Sequence, residues 1–287
     1  MMKIYTFDSK TPGPTSLILG SVHWNEKWGS EAIKKFVDLL NNKKVQIKKW
    51  KVILISQVNQ QAFEQNKRFV DQDLNRLFKD EYKNLNEIND SYEYQIAQEL
   101  KPILAQADFM LDLHSMEASW EPFAFAEKQV LPFAKKLGIP YLLRWWWELY
   151  PDVTWWDTEN YVNQHGGLAI TLEGWAHSSP QTFDNLFQGL LNFLVASEQI
   201  DTSFFKPLWD KSKILHLVDA YVAQNSYPDF KYLIEPAHLK FISKDTKILQ
   251  DGANFYTAPY NFTMIMPISA SRIKQGKEAF FMAKEEG

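Results

Sequence analysis

The chain has 287 residues, 45% of them hydrophobic, enough to bury a core in one large domain or in a main domain with a smaller companion. Its 31 basic and 35 acidic side chains leave a net charge of -4, so composition supports neither a nucleic-acid partner nor an anionic membrane surface, and a small-molecule or peptide substrate is the expectation. With no cysteine, disulfides and thiolate metal sites are excluded, and any metal must be held by His, Asp or Glu.

The opening "MMKIYTFDSKTPGPTS" lacks the apolar run of a signal peptide, and no apolar stretch is long enough to span a bilayer, so the expectation is a soluble, cytoplasmic protein. Leu17 to Glu26, "LILGSVHWNE", is an apolar run bounded by Gly20 that reads as a buried strand. His23 and Glu26 lie just past its end, where functional side chains emerge from open α/β sheets. Imidazole nitrogen and carboxylate oxygen suit a divalent transition metal, zinc first, although such a pair alone is far more often a polar loop.

"EKWGSEAIKKFVDLLNNKK" follows with helical spacing through Ala32, Ile33, Phe36, Leu39 and Leu40, and "WKVILISQVN" reads as a buried strand. The irregular stretch "QQAFEQNKRFVDQDLNRLFKDE" concentrates Arg68, Asp71, Asp73, Asn75 and Arg76 between sheet elements, where binding groups tend to sit. "SYEYQIAQELKPILAQA" is an amphipathic helix that Pro102 is expected to kink or break. In "DFMLDLHSM" an apolar run from Phe109 to Leu113 ends on His114, a candidate third ligand.

"EKQVLPFAKKLGIP" reads as a helix capped by Gly138. The stretch from Tyr141 to Gly167 holds five tryptophans, Trp145, Trp146, Trp147, Trp155 and Trp156. It is read as an aromatic wall or lid or, alternatively, as a satellite cluster or an interface in a homo-oligomer. "GLAITLEGW" is a third short strand, ending on Glu173, and "SPQTFDNLFQGLLNFLVASEQ" supplies the helix after it. This alternation argues for a layered α/β/α domain with a largely parallel or mixed central sheet over residues 1–203. Short β-like pieces from about Phe204 argue for a smaller C-terminal β domain over 204–287.

Three strand ends thus present His23 with Glu26, His114 and Glu173, and the loop between the first two offers Arg68, Asn75 and Arg76. Three protein ligands leave the fourth zinc position open, as in catalytic sites, and the metal lowers the pKa of a bound water from 15.7 to roughly 7. A glutamate near that water can move its proton, one arginine can stabilise an oxyanion, and another beside an asparagine can hold a substrate carboxylate.

In their order and separation, "GSVHWNE", "RFVDQDLNRLF", "DLHS" and "ITLEG" resemble the succinylglutamate desuccinylase and aspartoacylase family, a branch of the M14 zinc carboxypeptidase-like clan. The closing "APYNFTMIMP" and "GKEAFFMAK" resemble that family's C-terminal β domain. The resemblance implies that His23, Glu26 and His114 hold one zinc ion per chain and that Glu173 is the general base and acid. It implies that Arg68 polarises the scissile carbonyl and that Asn75 and Arg76 bind the substrate carboxylate. It further implies hydrolysis of an N-acyl amino acid by attack of zinc-bound water.

Two departures bear on the substrate. Trp24 stands where the family has glycine, which points to a different turn and pocket, and Asn163 falls where aspartoacylases carry an arginine for an acidic substrate; that loss and the tryptophan-rich segment point to a bulkier or more apolar substrate. Two other functions fit the same residues: a metallocarboxypeptidase releasing C-terminal residues from peptides, and a non-catalytic binding protein on the same fold.

Overall fold

The structure is a computed structural model that describes residues 2–79, 90–117, 120–144 and 157–286. The tryptophan run from 145 to 156 lies outside the described residues. Two compact units are formed, one within Met1–Leu142 and Thr154–Ser212, the other within Leu143–Val153 and Lys213–Gly287.

In the first unit, β1 (Ile4–Asp8), β2 (Thr15–Gly20), α1 (Lys27–Asn41), β3 (Lys51–Ile55) and α2 (Gln60–Gln65) are followed by α3 (Tyr92–Leu104), β4 (Phe109–Met116) and β5 (Phe123–Phe125). Then come α4 (Leu131–Ala134), β6 (Tyr141–Arg144), at which the chain passes between units, α5 (Thr158–Gln164), β7 (Leu168–Ala176) and α6 (Gln181–Ala196). The sheet runs β1-β3-β2-β4-β7-β5. Strands β3, β2, β4 and β7 are mutually parallel, while β1 and β5 are antiparallel to their neighbours.

Every residue of β2 is buried, as expected of a central parallel strand covered on both faces. Because side chains alternate, Leu17 and Leu19 join Ile53, Ile55 and Met110 in a cluster with Ile96 and Leu100 of α3 and Tyr161 and Val162 of α5. Helices α1 and α6 pack on each other and on β2 and β7, burying Ile33, Phe36, Leu190 and Phe193 completely. Pro102 sits in the last turn of α3, and the helix continues to Leu104 rather than breaking there. Gly138 closes the short helical stretch through Leu137 in a left-handed conformation (φ 65°), as its position in "KKLGIP" suggests. The edge strand β1 has no counterpart in the sequence reading, because its alternation of exposed and half-exposed residues carries little apolar signal.

The second unit contains the antiparallel order β8-β14-β13-β10 (Lys213–Val222, Glu278–Glu285, Phe262–Ile265, Lys240–Ile242). A separate antiparallel sheet orders β12 (Asn254–Thr257), β11 (Lys247–Asp251) and β9 (Phe230–Tyr232). Phe230, Phe262, Phe280, Met264 and Met282 fill its core. Among the described residues no helix is long and apolar enough to cross a membrane.

Candidate active site

The carboxyl end of β2 is held against α1 by a pair of glycines. A Cβ on Gly20 would lie 2.9 Å from the Gly29 carbonyl carbon, and one on Gly29 would lie 2.8 Å from the Leu113 carbonyl oxygen. Only residues without side chains allow the first turn of α1 to approach β2 and β4 so closely. Between them the chain turns through Ser21, which has φ 52°, and the Glu26 N–H donates to the His23 carbonyl at 3.2 Å. This compact turn puts His23 and Glu26, each 3% exposed, next to His114 of the neighbouring β4, which is 4% exposed.

Glu26 bridges the two imidazoles: Oε1 lies 3.0 Å from His23 Nδ1 and Oε2 lies 2.7 Å from His114 Nδ1. The far nitrogen of each ring meets another carboxylate, His23 Nε2 at 3.1 Å from Asp73 Oδ1 and His114 Nε2 at 3.1 Å from Asp112 Oδ1. Asp112 is in turn fixed by the Thr158 hydroxyl, which donates to Oδ2 at 2.6 Å. One ligand atom from each of His23, Glu26 and His114 can lie within 4.8 Å of the others. Two imidazoles and a carboxylate, converging in a buried site with carboxylates behind both rings, fit a divalent transition metal and the outer shell that orients its ligands.

Charge is strongly coupled here. Burial raises the pKa of Glu26, but His114 and His23 outweigh it and hold the carboxyl well below its usual range. Burial opposes a charge on His114, yet Asp112 and Glu26 prevail and hold the imidazole well above its usual value. Glu173 goes the other way: burial, with Glu26 and Asp112 adding like charge against His114 and Arg68, pushes it up to about 8.

Glu173 pairs in register with His114 across β4 and β7, and its Oε2 is buried with no hydrogen-bond partner among the described residues. A carboxyl with a perturbed pKa beside such a cluster of ligand-type side chains is suited to proton transfer. His114 and Glu173 are not the last residues of their strands, as the sequence suggested. β4 continues to Met116 and β7 to Ala176, because the apolar runs end before the ladder does.

Arg68 reaches the cluster from the loop, with NH2 3.2 Å from His23 Nε2 and NH1 3.4 Å from Glu26 Oε1; its side chain is 46% exposed, at the rim. Asn75 is buried on a single 3-10 turn (Leu74–Arg76) that Asp73 caps by accepting the Asn75 N–H at 3.0 Å. Arg76 donates from NH1 to the Asn75 carbonyl at 2.7 Å, and its charge helps hold Asp73 below the usual range and opposes the burial that pushes Asp157 up to about 6. The loop is anchored by Glu93 of α3, whose carboxylate accepts the N–H groups of Val70 (2.6 Å), Asp71 (3.0 Å) and Gln72 (3.1 Å) and the Asn59 amide (3.0 Å). Asp71 answers by accepting the Tyr92 N–H at the start of α3, 2.8 Å away.

Sequence reasoning missed three participants. Asp112 had a signal, a lone carboxylate inside an apolar strand two residues before His114 and therefore on the same face. Glu93 and His177 had none, because their partners are distant in sequence. Asn163, which stands where aspartoacylases carry an arginine, accepts the Ala169 N–H on its Oδ1 at 2.8 Å, at the start of β7.

The protein is therefore of the α/β class with a candidate metal centre at the carboxyl ends of a mostly parallel sheet. The succinylglutamate desuccinylase/aspartoacylase catalytic domain profile matches residues 12–195, and the chain belongs to that family, whose members are hydrolases that remove acyl groups. The fold is similar to the product-bound ectoine utilization protein EutE (DoeB) from Ruegeria pomeroyi, at 19% identity over 98% of this chain and 88% of that one, with a TM-score of 0.76. It is similar to a succinylglutamate desuccinylase/aspartoacylase from Rhodobacter sphaeroides at 18% identity, over 100% of this chain and 89% of that one, with a TM-score of 0.75. Succinylglutamate desuccinylase from Vibrio cholerae matches at 20% identity, over 98% and 85% of the two chains, with a TM-score of 0.74. No curated protein matches the sequence.

Proposed function

We propose that the chain is a zinc-dependent hydrolase that cleaves the amide bond of an N-acylated amino acid or a similar carboxylate-bearing substrate. The observation that carries this reading is the buried convergence of His23, Glu26 and His114 beside a Glu173 carboxyl oxygen that has no hydrogen-bond partner among the described residues. A cation held by those three residues, one per chain, would supply Lewis acidity at the scissile amide.

The chain's own residues do the rest. Glu173 accepts the proton of the attacking water and returns it to the departing amine. Arg68 stands at the rim beside the ligands, where its guanidinium stabilises charge growing on the carbonyl oxygen. Asn75 and Arg76, fixed on one turn, take the substrate carboxylate. Trp24, partly buried within the ligand turn, favours an acyl or amino-acid group larger or less polar than those of acetylaspartate.

The test is hydrolysis of a panel of N-acyl amino acids by protein loaded with zinc, with short peptides alongside. Release of free amine from bulky or apolar N-acyl amino acids is expected. A clear preference for acetylaspartate would overturn the bulkier, less polar substrate preference, and release of C-terminal residues from peptides in place of deacylation would make the enzyme a carboxypeptidase.

A further inference from the structure

β7 runs on past Glu173, and the turn after it carries His177, a residue outside the motifs of the sequence. Its ring spans the two segments that bear the metal-ligand cluster. Nδ1 lies 2.7 Å from the hydroxyl of Ser115, the residue after His114, and Nε2 lies 3.0 Å from the amide of Asn25, the residue before Glu26. Ser115 then donates its own N–H to Glu26 Oε2 at 3.2 Å. The backbone of His177 is held from the other side, where Trp28 Nε1 donates to its carbonyl at 2.7 Å and the indole packs edge-on against Phe183 of α6.

The Asn25 amide and the Ser115 hydroxyl each meet one ring nitrogen, so the imidazole joins the two segments in either tautomer. His177 is not part of the converging set of His23, Glu26 and His114. Burial lowers its pKa, which agrees with a neutral ring between two neutral groups.

We propose that His177 is a positioning residue that straps the His23–Glu26 turn to the His114–Ser115 segment and thereby sets the affinity of the centre for its cation. The inference rests on the reading that His23, Glu26 and His114 bind a divalent metal. It adds a third strand, β7, to the support of ligands that come from the ends of β2 and β4.

The experiment is zinc titration of chelator-stripped protein against a chromophoric competitor, with far-UV circular dichroism to verify folding. Wild type is expected to bind one zinc ion per chain and His177→Ala to bind it roughly 10- to 100-fold more weakly, the range usual for outer-shell partners of metal ligands. His177→Asn, whose amide nitrogen stands close to the position of Nδ1, is expected to restore much of the affinity through Ser115. A folded His177→Ala protein with wild-type affinity overturns the proposal. Should that variant not fold, Asn25→Ala, which removes one arm of the strap, must weaken binding, and unchanged affinity there overturns it equally. Absence of zinc binding by wild type would instead defeat the metal reading itself, and the strap with it.

Discussion

Asp73 Oδ1 stands 3.1 Å from His23 Nε2, on the side of the ring opposite Glu26, so that one imidazole is gripped between two carboxylates. Asp73 also caps the turn that carries Asn75 and Arg76. A single side chain therefore orients a proposed metal ligand and fixes the proposed carboxylate-binding pair. Asp73→Ala is expected to weaken zinc binding by roughly 10- to 100-fold and to raise KM together with it. Competition titration and steady-state kinetics measure the two effects separately.

Glu173 is expected to matter for chemistry and not for metal. Replacing it by Gln keeps the shape and removes the proton acceptor, so hydrolysis should fall by about 10²- to 10⁴-fold while one zinc ion per chain is retained. Metal analysis of the purified variant beside its rate checks this. Loss of the metal would assign Glu173 to the ligand set.

Glu93 joins α3 to the loop that delivers Arg68 and Asp73, accepting three backbone N–H groups and one amide. Glu93→Gln turns an amide group toward donors that need an acceptor, and leaving a buried donor unsatisfied costs about 1–3 kcal/mol. A lower urea midpoint and a reduced kcat/KM with zinc still bound are expected. A kcat/KM equal to wild type would show that the loop holds its place without this anchor.

His238 provides a pH signature in the second unit. Burial lowers its pKa to about 3, and its Nδ1 accepts the Met266 N–H at 3.0 Å. The unfolded chain, with histidine near 6.5, binds the proton more readily, so this group's contribution to stability is complete above pH 6.5 and declines as pH falls toward 3. At pH 5 the loss is about 2 kcal/mol by linkage. Urea unfolding of wild type and His238→Gln at pH 7 and pH 5 should show the smaller acid loss in the variant.

The layered fold was legible because its central strands are nearly continuous apolar runs and its helices keep a clean apolar stripe, as in Val52–Ile55 and in Ile33, Phe36 and Val37. His23, Glu26 and His114 were legible for a related reason, since ligand-type residues at the ends of such runs have few other places to go. What surrounds them was not. Glu93 reads as one more charge on an amphipathic helix, and only the fold reveals that its partners are the main chain of residues 70–72.

The contact between Gly20 and Gly29 sets a limit on protein engineering. Gly29 lies inside α1, where exchange of glycine for alanine is a routine way to gain thermal stability, often about 0.5–1 kcal/mol. Here the added methyl would meet the Leu113 carbonyl oxygen at 2.8 Å and the Leu113 Cβ at 2.9 Å, one residue before His114. A more robust helix would come with a dislodged His114, so variants selected for heat resistance should leave this position untouched, and libraries aimed at new substrates should diversify Trp24 instead.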